Sequence, residues 1–450
     1  LPTALNDLGH DVRLIMPAYQ QVKEKIGLLP SVAKLNISNL DIEILETILP
    51  GTTIPLLLVD CPTLFERKGT PYTNEQGQPW PDNAHRFALF CRAIVDVALN
   101  KAQLNWKPNI LHCNDWHTGL VCPLLHSEKD RPKTIFTIHN LAYQGLFPYQ
   151  TFIDLQLPEE LWSYERVEYN GQLSFIKAGI VYADHVNTVS PTYAKEIQTS
   201  EYGSGLEQLL QYYSSKLSGI INGINEQEWN PETDKKIFSN YSINNIQNKL
   251  INKSSLQKQL GLPVNKDTPL FSVISRVAEQ KGIDLIISIL PQLVIEKAQI
   301  VILGSGDKKL EDALTSAASK YPDHINIKIG YDEVLAHKIT AAADFFLMPS
   351  RYEPCGLNQM YSQRYGTIPI VRNTGGLADT VTNYSSSKDE VDSTGILFDG
   401  DKTKDFLDAI KVAFSLYVTK DVFTKVRLNG MQQNFSWHNS AIKYMNLYLR

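Results

Sequence analysis

Residues 343–359 read ADFFLMPSRYEPCGLNQ. A short apolar run, Phe345 to Met348, breaks into a turn containing Pro354, Cys355 and Gly356 and then resumes in a helical pattern. Such a run is a buried strand leaving a sheet and handing over to a helix. The turn has two readings. Glu353 can simply favour the positive end of the following helix. Alternatively the turn holds an anionic or polyhydroxylated ligand, because open parallel sheets bind ligands beyond the carboxyl ends of their strands.

The same alternation runs through the chain. GHDVRLIMPAY (9–19), NILHCND (109–115), KTIFTIHN (133–140), ADHVNTVSP (183–191) and KLSGIINGIN (216–225) form a first series of strand-like runs. After an Asn- and Lys-rich helical stretch near 240–262, TPLFSVISR (268–276), AQIVILGSGD (298–307), INIKIGYD (325–332), the opening stretch and TIPIVRNTGG (367–376) form a second. Alternating strands and helices predict parallel sheets covered on both faces. The fold class is therefore α/β, with two doubly wound, Rossmann-like domains at 1–225 and 226–436, and an amphipathic helix at 437–450 that suits packing against either domain. NYSSSKDEVDST (383–394) reads as an exposed loop.

Composition agrees with this and narrows the partners. A chain of 450 residues exceeds one ordinary core, and 43% hydrophobic with 20% charged residues is a soluble globular balance. No apolar run is long enough for a membrane span. A net charge of -5 gives no footprint for nucleic acid. The five cysteines, Cys61, Cys91, Cys113, Cys122 and Cys355, contain no CxxC pair and read as reduced thiols. LPTALNDLGH reads as the middle of a helix, so upstream sequence is expected.

The strand ends carry the chemistry. In the second series they offer Arg276, GSGD (304–307), Tyr331, Glu353 and NTGG (373–376): cations, backbone amides, an aromatic face and a carboxylate, which suit a sugar nucleotide. Arg276 and Lys281 could grip a diphosphate, or form a surface pair at a helix start. Gly356 lets the backbone expose the amides of Leu357 and Asn358 to an anion. Cys355 has no His or Asp partner nearby and reads as packing. In the first series HCNDWH (112–117) raises a metal site but lacks helical His or paired Cys spacing, so strand-end polar groups facing a crevice are preferred. His139 and Asn140 end another strand, where a satisfied buried histidine is the competing reading. The helix in WPDNAHRFALF (80–90) presents Asn83 and Arg86 in its first turn, with Trp80 stacking on a sugar or covering the core.

Taken in order, WPDNAHRFALF, HCNDWHTGLV, TIHNLAYQG, AGIVYADHVNTVSPTYAKEI, INGINEQEWNP, SRVAEQKG, PSRYEPCGLNQ and TGGLADTV resemble the bacterial glycogen synthases and plant starch synthases over nearly the whole chain. The resemblance implies the GT-B architecture, with two Rossmann-like domains facing across a cleft. It implies ADP-glucose as donor, an α-1,4-glucan (glycogen or starch) as acceptor, retention of configuration, and no metal or other cofactor. It places Arg276 and Lys281 on the diphosphate, assisted by the amides after Gly356 at Leu357 and Asn358, and Glu353 on glucose hydroxyls. Tyr331 meets adenine, and the His139 carbonyl stabilises charge on the donor carbon. Asp115 and Asn222 complete the sugar wall, Asn140 and Asn83 bind substrate, and a hinge follows Asn222. It further implies a cytoplasmic or plastid location according to source, and an upstream strand with a Lys-x-Gly-Gly loop. Another retaining GT-B transferase or a non-catalytic glucan-binding homologue shares the architecture. The HCNDWH and EPCGLNQ contexts argue against the first, and Arg276, Lys281 and Glu353 against the second.

Overall fold

A computed structural model describes residues 1–385 and 392–450, so the centre of the loop expected at 383–394 lies outside the described residues. The chain divides into two compact units, one of Leu1–Val189, Ala194–Ile220 and Ser440–Arg450, the other of Ser190–Tyr193 and Ile221–Asn439.

The second unit is built on six parallel strands. Their spatial order is Ile325–Ile329, Gln299–Gly304, Leu270–Ile274, Phe345–Met348, Ile368–Arg372 and Ile396–Phe398. Counted along the chain this is 3-2-1-4-5-6, the dinucleotide-fold order. The order reverses between Leu270–Ile274 and Phe345–Met348, so the loops that follow these two strands diverge and leave a crevice. Both strands are nearly all apolar because both faces are covered: Phe271, Phe345 and Leu347 pack with Ile283, Ile286 and Ile289 of the helix Ile283–Ile295 in one core.

A charged cluster sits inside this unit. Asp344, just before its strand, accepts from Lys253 Nζ at 2.6 Å, Arg427 Nη2 at 2.7 Å and the Leu270 amide at 2.9 Å. Burial alone pushes its pKa up, but the two cations outweigh burial and hold it below the ordinary carboxyl value. A lowered folded pKa contributes stability above the unfolded value of about 3.9, and that contribution is lost as pH falls through the folded value. Asp344→Asn should therefore cost on the order of 3–5 kcal/mol at pH 7, with the gap to wild type closing below about pH 4, read by urea unfolding across pH.

The first unit holds two four-stranded sheets. One is all parallel and runs Leu217–Gly219, His185–Thr188, Lys133–Ile138, Ile110–Asn114. The other is mixed: Leu14–Pro17 lies parallel to Pro55–Asp60, while Leu40–Ile48 pairs antiparallel with both Pro55–Asp60 and Ser31–Ile37. This hairpin departs from the expected all-parallel pattern. Ser38 and Asn39 both take positive φ, 53° and 61°, the two-residue turn that matches strand twist and closes an antiparallel pair.

The C-terminal helix Trp437–Tyr448 contributes Tyr444 and Leu447 to a cluster with Ile135 and Ile220 of the first unit. Residues 221–225, expected with the first domain, lie with the second unit. There the Ile224 amide donates to the Phe435 carbonyl at 2.8 Å, and Ile224 pairs in parallel with Ser436. Among the described residues no helix is long and apolar enough to cross a membrane.

Candidate active site

In the second unit the crevice at the strand-order reversal is a real cavity of about 230 Å³. Arg276, Lys281, Ser350 and Asn358 give it a polar lining, and Val273, Ile274, Leu347 and Met348 an apolar one. Arg276 follows the strand Leu270–Ile274, and its guanidinium is steadied by Gln280 Oε1 at 3.1 Å. Lys281 closes a short turn before the helix Ile283–Ile295 and donates to Glu353 Oε2 at 2.6 Å, to which Ser350 Oγ also donates at 3.1 Å. Both charged side chains are largely withdrawn from water, Lys281 at 16% and Glu353 at 9% exposure.

The loop bearing Glu353 is fixed from several sides. Gln280 Nε2 donates to the Tyr352 carbonyl at 2.8 Å, Arg372 Nη1 to the Arg351 carbonyl at 2.8 Å, and the Gly376 amide to the Glu353 carbonyl at 3.1 Å. Gly356 turns this loop into the helix Asn358–Arg364 with φ of 70°, a conformation that a β-carbon would strain while also meeting Gln359 Oε1 at 2.6 Å. Asn358 Nδ2 ties the helix start to the Ile274 carbonyl at 2.7 Å. Cys355 is buried, which pushes its thiol up to about 12, and the backbone of Asn222 hydrogen-bonds to it. A thiol so protonated is a packing group, as its sequence context indicated.

In the first unit Asn114↔Thr137 pairing sets the ends of two adjacent parallel strands side by side. Asp115 therefore meets His139 although 24 positions separate them: its Oδ1 accepts from the His139 amide at 2.8 Å, and the Asn140 amide also bonds to it. His139 Nε2 lies 2.9 Å from Asn114 Oδ1. Burial raises the Asp115 pKa, partly offset by His139. Asp115 also adopts φ 58° and ψ 178°, a region left almost wholly to glycine and costing on the order of 1–3 kcal/mol. The two amide hydrogen bonds compensate it, and strain held in this way is characteristic of functional sites.

The expected residues thus gather unevenly. Arg276, Lys281 and Asn358 line one cavity, Glu353 joins them through Lys281, Gly356 and Leu357 follow in the same loop, and Asn222 reaches it through Cys355. Asp115, His139 and Asn140 form a second group. Tyr331 stands apart at the end of Ile325–Ile329 with 87% of its surface exposed. Asn83 is only 8% exposed and spends its amide on the Tyr72 carbonyl at 3.0 Å and on Arg86 Nη1 at 2.7 Å, while buried Arg86 holds the Leu64 and Pro71 carbonyls. Asn83 and Arg86 thus brace a loop rather than offering free groups.

The HCNDWH side chains likewise disperse. His112 bonds to Thr137 Oγ1 at 2.6 Å and Tyr448 at 2.8 Å, Cys113 interacts with Cys122, and His117 packs between Tyr72 and Phe87, where burial lowers its pKa to about 4. Reading the sequence missed Ser350 and Gln280, which orient Glu353 and Arg276, and Asn114 on His139. Ser350 was recoverable from its place just beyond a strand. The other two depend on loop packing.

Residues 1–212 match the family described as the starch synthase catalytic domain, and residues 256–423 match glycosyl transferases group 1. Glycogen synthase 1 of Methylococcus capsulatus is 50% identical over 100% of this chain and 91% of its own length, and glycogen synthase of Cellvibrio japonicus is 46% identical over 100% and 94%. The catalytic domain of starch synthase IV from Arabidopsis thaliana, solved bound to ADP and acarbose, superposes with a TM-score of 0.89 at 32% identity, covering 100% of this chain and 94% of that one. A sucrose-phosphate synthase from Thermosynechococcus elongatus shares the fold at a TM-score of 0.61 and 18% identity. With the reversed-order parallel sheet, the cationic crevice and the strained strand-end aspartate, this likeness over the full chain makes the protein a GT-B glycosyltransferase of the bacterial glycogen synthase and plant starch synthase family.

Proposed function

We propose that the chain transfers glucose from ADP-glucose to the non-reducing 4-hydroxyl of an α-1,4-glucan with retention of configuration. The observation that carries this reading is the crevice at the strand-order reversal, where two cations, Arg276 and Lys281, stand beside the Ser350–Glu353 loop and a helix start. Cations in a partly dry crevice stabilise the charge that grows on a departing diphosphate far more than they could in water. In this reading Arg276, Lys281 and the amides of Leu357 and Asn358 take the diphosphate, Glu353 takes glucose hydroxyls, and exposed Tyr331 is free to stack on adenine.

Asp115, His139, Asn140 and Asn222 serve the glucosyl end. The bond from the anomeric carbon to the diphosphate oxygen breaks, with the electron pair leaving on ADP. The acceptor 4-hydroxyl bonds to the same carbon from the same face and passes its proton to the departing phosphate oxygen. The His139 carbonyl, in a backbone held by the hydrogen bond that the His139 N–H donates to Asp115 Oδ1, stabilises positive charge on that carbon meanwhile. Asn83 supports this work indirectly, through the loop it braces.

Labelled ADP-glucose and UDP-glucose supplied in parallel with glycogen test the reading. Incorporation from ADP-glucose, at least about tenfold above UDP-glucose in kcat/KM, is the expected result, since about 1.4 kcal/mol of base recognition suffices for that ratio. Equal use of both donors would remove the assigned donor, and no incorporation from either would remove the synthase activity.

A further inference from the structure

The strand-end motif GSGD (304–307) has no part in the transfer described above. Two of its amides are already spent on protein acceptors: Gly306 donates to Glu311 Oε1 at 2.7 Å, and Asp307 to the Val277 carbonyl at 2.7 Å. The Asp307 carboxylate caps the helix Lys308–Lys320, its Oδ1 accepting from the Lys309 and Leu310 amides at 2.9 and 3.1 Å. The loop is therefore turned toward the protein, and what it holds there is the segment carrying Arg276.

Three backbone hydrogen bonds bracket that arginine. The Ser275 amide donates to the Leu303 carbonyl at 3.1 Å, the Val277 amide to the Ser305 carbonyl at 2.9 Å, and the third is the Asp307 bond to Val277. The two backbones approach so closely that side chains are excluded on both sides of Arg276. A β-carbon on Gly304 would lie 1.9 Å from the Ser275 carbonyl oxygen, and one on Gly306 would lie 2.2 Å from that of Val277. Arg276 itself is exposed, and among the described residues Gln280 alone hydrogen-bonds its guanidinium. Its position thus depends on the backbone beneath it.

Glu311 fixes this arrangement to a rigid element. It stands in the first turn of a 13-residue helix, is only 9% exposed, and reaches back to the amide of Gly306, which also bridges to Val277. A carboxylate accepting from a backbone N–H makes one of the stronger kinds of hydrogen bond. We infer that the GSGD loop sets the position of Arg276 against the diphosphate, and that Glu311, which holds the loop, is a positioning residue for the donor. The inference rests on the synthase reading for the identity of that diphosphate, the one in ADP-glucose.

In the full chain, Glu311→Ala should lower kcat/KM for ADP-glucose about tenfold, the scale of one hydrogen bond to a charged group. The helix keeps its Asp307 cap in this variant, and Ala is the best helix former, so the fold should persist. The KM for maltoheptaose should stay within about twofold of wild type, and Glu311→Gln, which keeps an acceptor oxygen, should recover most of the donor loss. In an Arg276→Ala background Glu311→Ala should cost no more than about twofold further, because the residue it places is gone. ADP titrated calorimetrically should bind roughly fivefold to tenfold more weakly to Glu311→Ala than to wild type. Glu311→Asp, a carboxylate one methylene short, carries the same test should Glu311→Ala fail to fold.

Unchanged donor kinetics and ADP binding overturn the inference. So do losses that multiply in the double variant, or a maltoheptaose KM that rises as far as that of the donor. If wild type transfers no glucose at all, the synthase reading fails, and the ADP titrations of the single and double variants still decide whether Glu311 acts through Arg276.

Discussion

Replacing Glu353 by Ala is expected to lower kcat/KM for glucosyl transfer by roughly 10²–10³-fold or more, and Lys281→Ala is expected to do the same, the scale seen when a group that stabilises a transition state is removed. Each substitution acts twice. Glu353 and Lys281 are joined at 2.6 Å with little exposure of either, so deleting one strands the other charge in a poorly hydrated crevice. Breaking such a pair costs on the order of 3–5 kcal/mol, and the exposure that Lys281 retains sets its loss toward the low end.

Stability loss and chemical loss can be separated. The double variant Lys281→Met/Glu353→Leu leaves no unpaired charge and should regain most of the lost stability, since apolar replacement of a buried pair is often neutral. It should nonetheless remain inactive. Urea unfolding beside steady-state transfer measures both quantities. Recovery of activity along with stability in the double variant would reduce the pair to a structural role.

The second large effect is at Asp115. Asp115→Ala should abolish measurable transfer, and it should also destabilise, because it leaves the His139 and Asn140 amides without their acceptor while keeping a side chain in a backbone conformation suited to glycine. Asp115→Gly removes the same carboxylate but relieves the strain. It should be more stable than Asp115→Ala by on the order of 1–3 kcal/mol, yet equally inactive. Equal stability of the two variants would show that the strain energy is negligible. Activity in either would remove Asp115 from the chemistry.

These residues differ in how far the sequence discloses them. Phe345 to Met348 could be read as a buried strand, and Glu353 and Gly356 as its strand-end turn, because a short apolar run closed by Pro and Gly fits a strand covered on both faces better than a helix. Arg276 and Lys281 were visible for the same reason, lying just past another such run. Asn83 was not: a polar residue in a first helical turn looks free in sequence, and only the packing of the loop at 64–72 shows that its amide is already occupied. The hairpin at 31–48 was missed because its turn, Ser38 and Asn39, lacks the glycine that usually marks two residues of positive φ.

The two series of strands and helices, and the residues that stand at their strand ends, are legible from local periodicity and turn chemistry. Tertiary structure alone decided that Asp115 meets His139, that Lys281 pairs with Glu353, and that Val277 is laced to Ser305 and Asp307. Strand order and register set those meetings, and both are settled by contacts between segments far apart in the chain, which no local pattern encodes.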